Sequence, residues 1–107
     1  MADDPKHAAV GEVGEAFERE MGFSHKEFRR ALQRTYAGPG LEMREDGADI
    51  RVATGSVQIR LGAEGVRSIA LLRLPVTKIS FKFDGVDSTQ RAEFMQHFEL
   101  YFRRGGG

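Results

Sequence analysis

The chain has 107 residues, no Cys, and 16 Lys and Arg against 16 Asp and Glu. That length suits one domain with one hydrophobic core, and the lack of Cys excludes a disulfide framework, a thiol nucleophile and a cysteine metal site. A cysteine-free chain suits a reducing compartment, and the expected localisation is cytoplasmic. The opening MADDPKHAAV has no apolar run of the kind a signal peptide carries, and no window holds the ~18 apolar residues of a membrane span, so no membrane partner is expected.

Charge is neutral overall but unevenly spread. Residues 1–50 hold 7 Lys or Arg against 11 Asp or Glu, whereas residues 51–107 hold 9 against 5. A neutral total weighs against a dedicated nucleic-acid binder, which carries a basic excess.

Residues 1–7 read as a disordered polar tail, 8–104 as a single α+β domain, and 105–107 as a flexible Gly tail. Over 8–22 the apolar residues Ala9, Val13, Ala16, Phe17 and Met21 fall on one helical stripe, with Gly11 and Gly14 weakening the first turns and Gly22 ending it. A second helix has a stronger local signature. Ser24 and Glu27 have the spacing of a capping box, and Phe23 and Phe28 that of a hydrophobic staple. Phe28, Ala31, Leu32, Thr35 and Tyr36 form its buried stripe, and Gly38, Pro39 and Gly40 stop it.

After Gly40 the apolar period changes from 3.6 to 2. Five strands are predicted, at about 41–46, 49–54, 56–61, 66–74 and 76–84, joined by short turns that favour an antiparallel meander. Two of those turns are placed at 62–65 and at Leu74 and Pro75, because a Pro inside a sheet forfeits a ladder hydrogen bond. With Ile79, Phe81 and Phe83 facing inward, this scheme pairs Ala70 with Ile79, Ser68 with Phe81 and Val66 with Phe83. Carried back, it also turns Val57, Ile59, Ile50, Val52, Leu41 and Met43 inward. A last helix follows, capped by Asp87 with Gln90, and its stripe is Phe94, Met95, Phe98, Tyr101 and Phe102. Arg103 and Arg104 then complement its negative end. The expected order is ααβββββα, with the C-terminal helix packed on the sheet.

No catalytic constellation emerges. His7, His25 and His97 have no metal-ligand spacing, so no metal and no cofactor is expected. Glu93 and His97 lie four apart on a helix, where a surface ion pair outweighs a general base. The serines lack a nucleophile elbow, and the glycines at 62–65 lack the Lys and the following helix of a phosphate loop. The ending RRGGG resembles that of ubiquitin-like modifiers and bacterial sulfur carriers in its last two residues, but there the tail leaves a strand and here it leaves a helix.

One surface is left over. Alternation turns Arg51, Arg60, Arg67, Arg73, Lys78 and Lys82 to the outward face of the sheet, with Ile69, Leu71 and Val76 among them. An apolar patch rimmed by charge marks an interface. The expected function is therefore a non-catalytic interaction or adaptor module. It binds a protein partner, or a second copy of the chain, through Ile69, Leu71, Val76, Arg60, Arg67, Arg73, Lys78 and Lys82. No outward position is aromatic, which weighs further against single-stranded nucleic acid. The element order also resembles a reduced helix-grip domain, whose larger relatives hold lipids or other apolar ligands. That resemblance implies an alternative, a small apolar ligand between sheet and C-terminal helix, where Phe81, Phe83, Phe94, Phe98 and Phe102 meet Ser68 and Ala70.

Overall fold

A computed structural model describes residues 13–102. The tails expected at 1–7 and 105–107, and the first residues of the helix expected over 8–22, lie outside the described residues, as do Arg103 and Arg104. The elements run β1 (Ala16–Met21), α1 (His25–Thr35), β2 (Leu41–Arg44), β3 (Gly47–Val52), β4 (Gly55–Ile69), β5 (Leu72–Asp84) and α2 (Ser88–Tyr101). The strands form one antiparallel five-stranded sheet in the order β1-β5-β4-β3-β2. The fold is α+β as expected, but its order is βαββββα.

The first difference is β1, where a helix was expected. The segment AFEREM carries a strand pattern as well, with Phe17, Arg19 and Met21 half-buried and their neighbours exposed. Phe17 lies opposite Phe81 and Met21 opposite Thr77. β5 offers a full edge of unpaired backbone groups, which a weak, glycine-bearing helix cannot use and a strand can. The rings of Phe17 and Phe81 stack with centroids 4.9 Å apart, worth about 1 kcal/mol beyond area burial.

The second difference lies in β4 and β5. The chain does not turn at 62–65. β4 continues through it with a bulge between Leu61 and Glu64 and reverses only at Ala70 and Leu71. Pairing is therefore Phe83 with Val57, Phe81 with Ile59 and Ile79 with Leu61, instead of with Val66, Ser68 and Ala70. Pro75 is no turn residue: it sits within β5 opposite Val66. The Phe83 amide donates to Glu15 on the β1 side, so period-two alternation points the Pro75 nitrogen to that same side. Among the described residues no strand lies there beyond Met21, and the missing N–H costs no ladder bond.

The inward parity holds despite these shifts. Ile50, Val57, Ile59, Ile79, Phe81 and Phe83 are all buried, and Leu41, Met43 and Val52 pack half-buried against them. Both helices lie on this face. Their capping boxes are formed as expected, Ser24 with Glu27 and Asp87 with Gln90, each worth about 1 kcal/mol. The Phe23 and Phe28 rings meet edge to face at 5.8 Å. Phe98 joins the layers, with its ring 5.1 Å from Phe81, 6.2 Å from Phe28 and 4.2 Å from Phe102. At the tight β2–β3 hairpin, Gly47 has φ 154°, and a Cβ there would collide with the Ile59 carbonyl.

Candidate interaction site

β1 stops at Met21, opposite Thr77. The pairing of β3 with β4 stops at Gly47, opposite Arg60. Beyond these points, among the described residues, β4 and β5 pair only with each other, from Glu64 with Thr77 to Ile69 with Leu72. Residues 62–76 therefore leave the sheet as a two-stranded arm. At ~3.3 Å per residue its reach is roughly 25 Å.

A lone two-stranded ribbon is marginal in water, and this one is held at its base. The Glu64 carboxylate accepts from the His25 amide at 2.8 Å, at the positive end of α1. The His25 ring Nε2 lies 2.6 Å from the Gly62 carbonyl, fixing the bulge. Thr77, buried on the other strand, donates from Oγ1 to the Phe23 carbonyl at 2.7 Å.

Four aliphatic side chains of the arm are open to solvent. Val66 is 58% exposed, Ile69 51%, Leu71 99% and Leu72 61%. Ile69, Ala70, Leu71 and Leu72 make the tip without one polar side chain. Of the residues expected to bind a partner, Ile69, Leu71, Val76, Arg67 and Arg73 lie on this arm. Arg67 pairs with Glu20 at 3.1 Å, and Arg73 is exposed.

Arg60, Lys78 and Lys82 lie apart from the arm, on the outward face of the sheet, which neither helix covers. That face is a mixed-charge lattice, not a basic one. Lys78 is 3.9 Å from Glu18, and Arg60 is 2.9 Å from Asp49 and 3.9 Å from Asp46. Arg44 reaches Asp49 at 2.6 Å. Partial burial acts to raise the Asp49 carboxyl, but the hydrogen bonds and charges of Arg44 and Arg60 outweigh it and hold it below the usual carboxylate range. Arg44 is raised in turn, chiefly by its hydrogen bond to Asp49. The acids that balance Lys78 and Arg67 come from β1, so the helical reading of that segment hid them. Val66, Leu72 and Glu64 were missed because their positions depend on where the hairpin turns.

Rings pack between the sheet and α2, with Phe83 5.8 Å from Phe94 and Phe81 5.1 Å from Phe98, and a cleft of ≈ 330 Å³ lies between β3 and α2, lined by Tyr36, Ile50, Val52, Gln90 and Phe94 among others. A cleft of ≈ 530 Å³ opens at the opposite end of β4 and β5 from the arm, lined by Pro39, Glu42, Arg51, Ser56 and Asp84 among others. His97 faces Tyr36, whose hydroxyl lies 3.2 Å from Nδ1 and is raised above the usual tyrosine value by burial. Among the described residues no three His, Asp or Glu side chains converge as metal ligands, and no helix is long and apolar enough to cross a membrane. No family model, curated protein or solved structure matches the chain.

Proposed function

We propose that the protein is a non-catalytic interaction module and that the projecting arm of β4 and β5 is its binding element. The observation that carries this reading is the contrast between the two halves of the same strands. Within the sheet, Val57, Ile59, Ile79 and Phe81 are buried; on the arm, Val66, Ile69, Leu71 and Leu72 are exposed. Exposed aliphatics gathered on one ribbon mark an interface; here Ile69 and Leu72 are cross-strand partners on one face and Val66 lies on the other. Four of them on an anchored ribbon give a binder its apolar centre with little ordering to be done on association. Arg67 and Arg73 supply a polar rim. Arg60, Lys78 and Lys82, first grouped with the arm residues, serve the solvated back of the sheet in this reading.

The experiment is site-specific photo-crosslinking in cells. A photoreactive residue at position 71 is compared with one at position 82, on the charged sheet face. Discrete protein adducts at 71, weak or absent at 82, are expected. Equal adducts at both positions, or none at 71, would refute the arm as the binding element.

A further inference from the structure

We propose that the occupant of the arm is a second copy of this chain, added antiparallel along the open edge of β4. The proposal rests on the arm being the binding element and names its partner. Its origin is the direction of the backbone groups. Phe83 donates its amide toward β1 and Leu61 donates toward β3, to Asp46. Alternation from Phe83 points the backbone groups of Arg73 and Pro75 to the outer edge of β5. Through the bulge and the pairing of Glu64 with Thr77, it points those of Glu64, Val66 and Ser68 to the outer edge of β4.

The two edges of the arm differ. On β5 the edge is guarded, because Pro75 has no N–H to offer. On β4, among the described residues, no proline and no strand stands beside Glu64, Val66 and Ser68. The sheet's outer edge at β2 is blunter. β2 has four residues, and Arg29 of α1 reaches over to the Arg44 and Glu45 carbonyls at its end. The arm edge of β4 is thus a template for adding a strand.

A second copy fits this template by register and by charge. An antiparallel two-fold pairing centred on Val66 sets Val66 against Val66, Arg67 against Gly65 and Glu64 against Ser68. No like charges face each other, and each long side chain meets a short one. Centring on Arg67 would set arginine against arginine. The chosen register also brings the tip of one arm, with Arg73 behind it, toward the acidic β2–β3 turn of the other copy, where Glu45 and Asp46 are exposed. The interface is isologous and closes as a dimer.

Sedimentation velocity over a concentration series, with two edge variants, tests this. Wild-type protein should associate to a dimer. Ser68→Pro removes an edge N–H and Val66→Lys adds an edge charge; each should weaken association by about tenfold or more while near-UV circular dichroism stays that of the wild type. The chain has no Cys, so Val66→Cys should be bridged to itself by a short bis-maleimide, and Ser80→Cys should not. A wild-type monomer at the highest soluble concentration would overturn the proposal. So would association that both edge variants leave intact, or a monomer that floats with anionic vesicles. A monomer whose position 71 still crosslinks to another protein would overturn the second copy as occupant and leave the arm as binding element.

Discussion

The Thr77 hydroxyl donates to the Phe23 carbonyl at 2.7 Å, across 54 residues of sequence and at a fully buried site. Phe23 leads into α1 and Thr77 is the first residue of β5 paired with β1. This one bond therefore joins the entry of a helix to the root of the arm. Thr77→Val keeps the shape and removes this donor from a buried carbonyl. A loss of about 1–3 kcal/mol is expected in urea unfolding. Hydrogen exchange should rise at the arm root in the same variant, while the amides of Val57 and Ile59 stay protected.

Asp49 contributes to the acid limb of stability. Its carboxyl is lowered in the folded chain relative to ~3.9 in the unfolded chain. The unfolded state thus binds the proton more readily, so stability falls as pH drops. The contribution is complete above the unfolded value and is lost as pH falls through the native one. Carbon-detected NMR titration should find the Asp49 midpoint below the usual range, and Asp49→Asn should flatten the acid limb of the unfolding curve.

Ala53 and Ala70 both have φ 54°, in the two-residue turns that close the β3–β4 and β4–β5 hairpins. A side chain in this region costs roughly 1–2 kcal/mol, and glycine avoids it at some cost in chain entropy. Ala53→Gly should stabilise the protein by about 0.5–1 kcal/mol in thermal or urea unfolding.

Leu71 and Phe81 separate surface from core. Phe81→Glu places a charge among the rings of Phe17 and Phe98, and a loss of about 3–5 kcal/mol, enough to unfold a domain of this size, is expected by circular dichroism. Leu71→Glu, at the open tip, should change stability by less than about 0.5 kcal/mol.

What could be read from the sequence is what local chemistry decides. Both capping boxes, the Phe23–Phe28 staple and the inward parity of Ile79, Phe81 and Phe83 depend on spacing alone, and the structure has all of them. β1 was ambiguous because Phe17 and Met21 satisfy a helical spacing as well as a strand alternation; the open edge of β5, some 60 residues on, decides for the strand. The glycines at 62–65 look like a loop because nothing nearby shows that His25 captures Glu64 and the Gly62 carbonyl. Pro75 looks like a turn until the edge its nitrogen faces is known. Of the expected binding residues, Ile69, Leu71, Val76, Arg67 and Arg73 fall on one arm, but Arg60, Lys78 and Lys82 stand on the sheet face, where Arg60 pairs with Asp49 and Lys78 lies near Glu18, a residue of the segment that reads as a helix.

The separation of arm from core is tested most directly by replacing residues 66–75 with Asn-Gly, so that Gly65 and Val76, already paired, close a tight hairpin. Urea unfolding of this shortened chain should be cooperative and within about 1–2 kcal/mol of the wild type, because none of the fully buried residues is removed. A loss of several kcal/mol, or of cooperativity, would make the arm's aliphatics part of what holds the fold together and would contradict their assignment to binding.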